Sequence, residues 1–458
     1  MNIHFIAIGG SAMHNLAIAL HKKGYKISGS DDEIVDPSRQ NLDKYGLLPD
    51  NEGWDTNRIH TGLDAVILGM HAREDNPELL KAQELGIKIF SYPEFLYEHS
   101  KDKTRIVIGG SHGKTTITAM ILHVLNHAGL DYDYMVGAKL EGFDVMVKLS
   151  DSAPIMIFEG DEYLTSPIDR RPKFHLYKPH IALISGIAWD HINVFPSFEN
   201  YIEQFRIFAD MIPDGGSLVY CSTDKEIEKI AKNLRPAIKQ KAYDLPEYLV
   251  IDGITSIRYD ENFIALGVFG KHNLLNINGA RLICNEIGID DEHFFEAIQS
   301  YKGASNRLEV LIKTSTTAIY KDFAHSPSKL KATIEAVKEQ FPERILVACM
   351  ELHTFSSLNQ EFLSLYRNTM DLADKAFLYY NPHTVEMKKL PPIDENDIIQ
   401  EFGRPDIKVF TDSDQMFEEL SIINWKEKNL LLMSSGNFNG ANLMEFSNEI
   451  FEKDNNDQ

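Results

Sequence analysis

The stretch GGSHGKTT, residues 109–116, lies between the apolar run RIVI and the segment ITAMILHVLNHAG, whose apolar residues have helical spacing. A strand that delivers a glycine-rich turn into a helix leaves several backbone N–H groups directed at one point, where the helix dipole adds positive potential. Lys114 supplies a full positive charge for the β- and γ-phosphates, and the Thr115 hydroxyl is a ligand for Mg²⁺. The stretch therefore predicts a phosphate-binding loop for ATP or GTP.

The loop differs from the common pattern GxxxxGK[ST], because position 108 is isoleucine and the earlier glycine is Gly110. An ordinary turn with a solvated lysine is the alternative interpretation, and the strand–loop–helix context favours nucleotide binding over it. The residues of this loop that we expect to contact the nucleotide are Gly110, Ser111, His112, Gly113, Lys114, Thr115 and Thr116.

Acidic residues follow the next two strand candidates. PIMIFEGDEY places Glu159, Asp161 and Glu162 after a mostly apolar run, and HIALISGIAWDHINVF ends a third apolar strand with Asp190 and His191. A magnesium phosphate site needs carboxylate oxygens, and ligands of open α/β sheets gather at the carboxyl ends of strands. These residues predict a metal site, and solvated acids in turns are the alternative.

Strand and helix candidates alternate along the whole chain of 458 residues. This alternation predicts the α/β class with mainly parallel sheets. Polar segments at 97–105 (YEHSKDKTR) and 300–309 (SYKGASNRLE) divide the alternation into three sections. The predicted domains are therefore 1–101, 102–305 and 306–458.

The composition excludes several classes of partner. Forty-six Lys and Arg against 68 Asp and Glu give a net charge of −22, which argues against nucleic acid or an anionic membrane surface. No apolar run approaches the ~18 residues of a membrane span, and the N-terminus lacks the features of a signal peptide. Cys221, Cys284 and Cys349 lie far apart, which is typical of reduced, buried thiols. We expect a cytoplasmic protein, either a monomer or a homodimer.

Five motifs stand in the order found in the Mur ligases of peptidoglycan synthesis: GSHGKTT, EGDEY, WDHINVF, GKHNLLN and KDFAHSP. The chain resembles that family along nearly its whole length. The resemblance implies a Rossmann-like N-terminal domain for a UDP-sugar, a central P-loop ATPase domain and a Rossmann-like C-terminal domain. It also implies an amide ligase in which a carboxylate attacks ATP to form an acyl phosphate, and an amine then displaces phosphate.

The resemblance also implies roles for residues near the phosphate loop. Lys114, Glu159 and His191 are the predicted catalytic residues, and two Mg²⁺ ions screen the two negatively charged reactants. Thr115 and Glu159 would hold one ion, and His191 would hold the other. Neither a guanine-reading NKxD motif nor an arginine-rich lid is found, which argues against a GTPase or a P-loop kinase.

Four residues further along the chain complete the predicted ATP site. Asn273 and Asn276 of GKHNLLN would read the adenine edge, because an amide both donates and accepts. Helix capping is the alternative role for Asn273. The resemblance implies that Arg307 reaches the γ-phosphate and that Asp322 matches the second acid of an acidic pair.

For the N-terminal section the resemblance implies a site for the diphosphate and ribose of UDP. Asp31 follows the second strand candidate about 20 residues after the glycines of IAIGGSAM, where a ribose-binding acid is expected. A purely solvated role is the alternative for Arg73. The predicted UDP-sugar contacts are Gly9, Gly10, Ser11, Asp31, His71 and Arg73.

Two segments bear on the amine substrate. EYLTSPIDRRPKFHLYKPH and LLMSSGNFNGAN resemble the branch that joins a recycled murein peptide, L-Ala-γ-D-Glu-meso-diaminopimelate, to UDP-N-acetylmuramate. We therefore expect peptide ligation in peptidoglycan recycling, with His325 and His353 contacting the peptide. Ligation of L-alanine and a non-catalytic nucleotide-binding paralogue are the alternatives. Lys321, Ser326 and His353 depart from the pattern of the peptide branch, which has arginine in place of His353.

Overall fold

The structure is a computed structural model that describes residues 1–140, 142–143, 145–190 and 194–456. It divides into two compact units. The first comprises residues 1–187, 196–244 and 278–297, and the second comprises residues 188–195, 245–277 and 298–458.

The first unit begins with a four-stranded parallel sheet in the order β2-β1-β3-β4. Its inner strand β3 is buried at every position, because helices connect successive parallel strands and cover both faces. The strands are β1 (Asn2–Ile6), β2 (Lys26–Ser30), β3 (Ala65–Leu68) and β4 (Ile89–Ser91). The helices are α1 (Ser11–Lys22), α2 (Ser38–Lys44), α3 (Pro77–Glu84) and α4 (Tyr92–Ser100).

A seven-stranded sheet follows in the same unit, in the order β11-β10-β9-β5-β8-β6-β7, with β7 as its antiparallel edge strand. The strands are β5 (Thr104–Gly109), β6 (Asp133–Met135), β7 (Val147–Lys148), β8 (Ile155–Glu159), β9 (Ile181–Ile184), β10 (Ser217–Cys221) and β11 (Lys239–Tyr243). The helices of this part of the chain are α5 (Lys114–His127), α6 (Lys173–Leu176), α7 (Phe198–Asp210), α8 (Lys225–Lys232), α9 (Lys271–Glu286) and α10 (Asp291–Ile298). The start of α9, up to residue 277, is assigned to the second unit, and the rest of the helix to the first.

The second unit contains a small antiparallel sheet and a six-stranded sheet in the order β15-β16-β20-β17-β18-β19. The small sheet is β12 (Tyr248–Ile251), β13 (Ile254–Tyr259) and β14 (Asn262–Ala265). The strands of the larger sheet are β15 (Glu309–Lys313), β16 (Ala318–Asp322), β17 (Ile345–Leu352), β18 (Lys375–Tyr380), β19 (Lys408–Phe410) and β20 (Lys428–Met433). The helices are α11 (Pro327–Gln340), α12 (Gln360–Leu363), α13 (Pro382–Met387), α14 (Glu395–Phe402), α15 (Ser413–Ser421) and α16 (Leu443–Asn456).

The core of the six-stranded sheet lies on both of its faces. Ala348 and Met350 of β17 pack into one apolar cluster, and Val347 and Cys349 pack into the other. Because side chains alternate along a strand, a continuous apolar run such as ILVACM fills both layers.

The predicted α/β class is confirmed. Strand β1 ends at Ile6, although the apolar run NIHFIAI continues to Ile8, because Ala7 has a φ of 67° and turns the chain. Strand β11 was not predicted, since KQKAY is a charged edge strand without an apolar pattern. The three cysteines are free and buried, as expected. The domain boundaries 1–101, 102–305 and 306–458 stay predictions.

Over the described residues, every helix is too short or too polar to span a lipid bilayer.

Candidate nucleotide and sugar-nucleotide sites

Strand β5 lies at the centre of the site, because its carboxyl end continues into the phosphate loop and α5 begins at Lys114. Its two neighbours in the sheet are β8 and β9. Ile108 pairs with Glu159 in the parallel register of β5 and β8. The acidic end of β8 therefore lies beside the loop, as the strand-end argument predicted.

Two glycines give the loop its conformation. Gly113 immediately precedes α5 with a φ of 75°. Gly110 has a φ of 128°, and a β-carbon there would lie 2.2 Å from Ser185 Oγ and 2.9 Å from the Ser185 nitrogen. The Ser185 hydroxyl donates to the His112 carbonyl, and the Ser111 N–H donates to the Gly186 carbonyl at 2.8 Å. The loop is thus fixed against the end of β9.

Thr115 and Glu159 are in direct contact. The Thr115 hydroxyl donates to Glu159 Oε1 at 2.7 Å, and the Gly137 N–H donates to Glu159 Oε2 at 2.7 Å. A hydroxyl and a buried carboxylate at adjoining strand and helix ends are the hard oxygen ligands that Mg²⁺ takes, so these two residues fit the predicted metal. Within the described residues no three His, Cys, Asp or Glu side chains converge on a metal position, and the predicted ligand His191 lies outside those residues.

The Lys114 ammonium is largely buried between an acid and a carbonyl. Its Nζ donates to Glu162 Oε2 at 2.7 Å and to the Gly110 carbonyl at 2.7 Å. Burial alone would lower the pKa of Lys114, but the carboxylates of Glu162 and then Asp161 outweigh burial and raise the pKa above its ordinary value. Lys114 therefore carries its positive charge in the site.

The remaining acid of the EGDEY motif, Asp161, has a different partner. Asp161 Oδ2 accepts from Lys173 Nζ at 2.6 Å. The three acids are thus divided among three groups: Glu159 binds Thr115, Glu162 binds Lys114, and Asp161 binds Lys173.

Tyr201 is part of the site, although the sequence did not indicate it. This fully buried residue of α7 donates to Glu162 Oε1 at 3.1 Å, and its hydroxyl lies 2.9 Å from Ser111 Oγ. Tyr201 thereby links the phosphate loop to the acid that holds Lys114. A buried tyrosine hydroxyl needs a polar partner, and its position on the apolar face of FENYIEQF was the available signal.

In the N-terminal sheet the predicted ribose acid is bonded to the glycine loop. The Gly9 N–H donates to Asp31 Oδ2 at 2.7 Å, and burial raises the pKa of Asp31 to about 6. Gly10 is half-buried and Ser11 is exposed, so the loop is open to solvent. His71 is exposed, and Arg73 is exposed and pairs with Asp75 at 3.1 Å.

The residues of the second unit that were predicted to contact ATP interact with other residues of that unit. Asp322 accepts from the Leu308 N–H at 2.7 Å, and the Arg307 guanidinium stacks 4.7 Å above the Phe323 ring. Asn273 lies in the first turn of α9, where its amide donates to the Phe269 carbonyl at 2.9 Å. This bond is not the helix cap weighed as the alternative, because an N-cap side chain accepts from backbone N–H groups of the first turn. The role of Asn273 therefore stays a prediction. Asn276 is buried on the same helix.

The two histidines that were predicted to contact the peptide substrate lie in different environments. His325 lies beyond the end of β16, with Nδ1 2.8 Å from the Phe323 carbonyl, and burial, followed by the Lys329 charge, lowers its pKa to about 3. His353 is 40% exposed, and its Nδ1 lies 3.6 Å from Glu351 Oε1. The side chain of Glu351 is itself buried and accepts from the Phe438 N–H at 2.9 Å.

A cavity of about 320 Å³ opens at the carboxyl edge of the six-stranded sheet. It is lined in part by Lys321, Asp322, Ser434 and Phe438. Asp322 therefore borders this cavity as well as the segment around Arg307.

A glycine-rich loop, a helix N-terminus, a buried lysine and strand-end acids define the class of P-loop nucleotide-binding proteins. Three family models match the chain. They are the catalytic domain of the Mur ligase family at residues 2–104, the Mur ligase middle domain at residues 108–284, and the Mur ligase glutamate ligase domain at residues 306–436. The chain belongs to the Mur ligase family, and the protein is an ATP-dependent carbon–nitrogen ligase that uses Mg²⁺.

Known relatives cover nearly the whole chain. The UDP-N-acetylmuramate–L-alanine ligase of Caldanaerobacter subterraneus is 30% identical over an alignment of 454 residues, and the match covers 95% of each chain. The solved UDP-N-acetylmuramate–alanine ligase of Thermotoga maritima has a TM-score of 0.71 at 19% identity and covers 100% of each chain. The solved murein peptide ligase of Psychrobacter arcticus has a TM-score of 0.66 at 21% identity and covers 98% of each chain. The two structural likenesses show a shared three-domain fold.

The expectation of a recycled murein peptide as the amine substrate is wrong. The curated relatives at about 30% identity over most of the chain are named for L-alanine, which was the alternative. The segments 162–180 and 431–442 on which the peptide interpretation relied are short, whereas the similarity to the alanine ligases extends over the whole chain.

We predict that Gly110→Ala lowers both ATP affinity and stability. The new β-carbon would overlap Ser185, and a side chain at this φ costs about 1 kcal/mol or more, so the loop must move. The measurements are the KM for ATP and the melting temperature. Gly129→Ala is the matched control, since Gly129 has a φ of 65° but nothing within 4 Å of its β-carbon. Equal KM values in the two variants would contradict the prediction.

We predict that Tyr201→Phe reduces kcat/KM for ATP about tenfold, because a hydrogen bond to a charged carboxylate is lost. Tyr132→Phe serves as the control. Tyr132 is also buried in this unit and donates to the Leu122 carbonyl at 3.2 Å, away from the loop. An unchanged kcat/KM for Tyr201→Phe, or the same loss in both variants, would exclude a role for this hydroxyl in the site.

Proposed function

We propose that the protein joins L-alanine to the carboxylate of UDP-N-acetylmuramate and converts ATP to ADP and phosphate. The observation that carries this proposal is the charged Lys114 ammonium beside the Thr115–Glu159 pair, at the end of the central strand β5. The amine and the acid are taken from the relatives, named UDP-N-acetylmuramate–L-alanine ligase, that align with 95% of the chain.

In the first step an oxygen of the substrate carboxylate attacks the γ-phosphorus of ATP. The bond to the β,γ-bridging oxygen breaks, and an acyl phosphate and ADP form. Both reactants are anions, so the step needs positive charge between them. Lys114 supplies that charge once the phosphates replace Glu162 as its partner, and the N–H groups at the start of α5 bind the phosphate oxygens.

In the second step the neutral amine of L-alanine attacks the acyl carbon. The carbon–oxygen bond to the phosphate breaks, and inorganic phosphate leaves and takes up the proton that the amine loses as the amide forms. His325 is half-buried and its lowered pKa keeps the ring neutral, and Asp322 lies three residues before it at the cavity edge. We assign the amine side of the reaction to this part of the second unit.

Mg²⁺, when bound, withdraws electron density from the phosphate oxygens and reduces the repulsion between the reactants. Thr115 and Glu159 would hold one ion, and His191 is proposed for a second. Glu159 is already oriented by the Gly137 N–H, and its other oxygen accepts from the Thr115 hydroxyl, so the two proposed ligands lie within hydrogen-bond distance of each other.

The predicted contacts outside the loop keep their roles as parts of this proposal. Asn273 and Asn276 are assigned to adenine, Arg307 and Asp322 to the γ-phosphate and its surroundings, and the N-terminal loop with Asp31, His71 and Arg73 to the UDP-sugar. Arginine at position 353 would bind a peptide carboxylate through two parallel bonds. His353 beside the buried Glu351 lacks that capacity, so the arginine contact expected for the peptide branch is not available at this position.

This reaction belongs to peptidoglycan biosynthesis in the cytoplasm, where the UDP-linked precursor and ATP are found. A monomer or a homodimer is the proposed assembly, since each chain carries both the phosphate loop and the residues assigned to the substrates.

The proposed reaction is tested by supplying L-alanine, glycine or L-Ala-γ-D-Glu-meso-diaminopimelate separately with UDP-N-acetylmuramate, ATP and Mg²⁺. We expect ADP and UDP-N-acetylmuramoyl-L-alanine in a one-to-one ratio with L-alanine, and loss of both after chelation of divalent ions. Mass spectrometry of the product and an ADP assay measure the outcome. ADP release that depends on the tripeptide alone, or that does not depend on the sugar, would overturn the proposal.

We predict that Lys114→Ala lowers kcat by about 10³-fold or more, because the charge that screens the two anions is removed. Binding of UDP-N-acetylmuramate, measured by calorimetry, should stay within about twofold of the wild type, since the N-terminal sheet supplies that site. Lys148→Ala removes an exposed lysine of the same unit and is the control. Equal loss of turnover and sugar binding in Lys114→Ala would contradict the assignment of the two sites.

A further inference from the structure

His14 is a buried histidine on α1, one helical turn beyond the N-terminal glycine loop, and it is 3% exposed. Its Nδ1 lies 3.0 Å from the Gly10 carbonyl, so this nitrogen carries the proton and donates. Its Nε2 therefore accepts, and the amide nitrogens of Asn15 and Asn41 lie 3.0 Å and 3.3 Å from it. The ring is neutral, and burial lowers the pKa of His14.

Asn15 holds the next residue of the loop. Its Nδ2 donates to the Ser11 carbonyl at 2.9 Å, and its Oδ1 accepts from the Met146 N–H at 3.1 Å. Met146 immediately precedes β7, the edge strand of the seven-stranded sheet. The amide of Asn15 thus connects the glycine loop to the sheet that carries the phosphate loop, within one compact unit.

The groups around the histidine ring are neutral. Ser38 Oγ lies 3.0 Å from Nδ1, and both Ser38 and Asn41 belong to α2. The ring therefore joins α1, α2 and the loop through hydrogen bonds alone. With the Gly10 and Ser11 carbonyls held on the protein side, the N–H groups at the start of α1 stay directed outward.

We propose that His14 and Asn15 are positioning residues for the sugar nucleotide: they fix the Gly10 and Ser11 carbonyls and so preorganise the N–H groups that bind its diphosphate. This inference rests on the proposed function. Neither residue touches the substrate. Their effect is on affinity, because a loop that is already ordered loses less conformational entropy on binding.

His99 provides a matched control in the same domain. It is a half-buried histidine on a helix, its Nδ1 lies 3.1 Å from the carbonyl of Phe95, four residues earlier, and burial lowers its pKa. It lies on α4, and within the described part of the chain its hydrogen-bond partners are Phe95 and Tyr25, which lie outside the glycine loop. A purely structural contribution of His14 would therefore resemble that of His99.

The experiment compares His14→Ala, His14→Asn and His99→Ala by calorimetric titration with UDP-N-acetylmuramate and by steady-state kinetics. We expect His14→Ala to raise both Kd and KM for the sugar nucleotide about tenfold with kcat within about twofold, as loss of one hydrogen bond to the loop predicts. In His14→Asn the amide nitrogen can take the place of Nδ1, so Kd should return to within about threefold of the wild type. His99→Ala should change the melting temperature and leave Kd unchanged.

The inference would be overturned by a wild-type Kd in His14→Ala, or by equal increases of Kd in His14→Ala and His99→Ala. A lowered kcat with an unchanged KM in His14→Ala would overturn it as well. If His14→Ala does not fold, Asn41→Ala removes one donor to Nε2 and should raise Kd about threefold, and an unchanged Kd would overturn it in the same way. Failure of the wild-type protein to bind UDP-N-acetylmuramate would instead contradict the proposed function.

Discussion

The nucleotide site depends on one constraint: a buried ammonium group needs a negatively charged partner both before and after ATP binds. In this structure Glu162 is that counter-charge for Lys114, and the hydroxyl of Tyr201 binds its second oxygen. Triphosphate can displace Glu162 without leaving the ammonium unpaired, because phosphate oxygens then take over the same role. Asp161, the remaining acid of the motif, is bonded to Lys173 instead of Lys114.

Much of this site follows from the sequence, because parallel strands end at one edge of a sheet. The loop after β5 and the acid ending β8 were predicted together on that ground, and the contact of Thr115 with Glu159 agrees with it. The contributions of Ser185 and Tyr201 were not predicted. Their hydrogen bonds to the loop depend on strand order and on how α7 packs, and neither is encoded in local spacing.

The error over the amine substrate has a physical origin. The activating half of the reaction requires a lysine, a hydroxyl and acids in fixed places, so motifs identify it well. The departures from the motifs at Lys321, Ser326 and His353 fall in the part of the chain to which the proposed function assigns the amine. Lys321 lines the cavity of the six-stranded sheet, and His353 is adjacent to a buried acid. Resemblance of short flanking segments therefore carried less information about the amine than similarity over the whole chain.

The N-terminal loop illustrates how such a site stays ordered before its ligand arrives. Each of its residues is bonded to a buried side chain: Gly9 to Asp31, Gly10 to His14, and Ser11 to Asn15. The sequence predicted Asp31 as a ligand for ribose, yet one of its oxygens already accepts the Gly9 N–H. A carboxyl group with a pKa of about 6 still accepts this bond in either protonation state, so the loop geometry does not depend on its charge. The other oxygen of Asp31 accepts from the Asp32 N–H at 3.0 Å, so both oxygens are held by the backbone of this part of the chain. The proposed contact with ribose would therefore use the lone pairs that these two bonds leave, and their direction depends on the conformation of the loop.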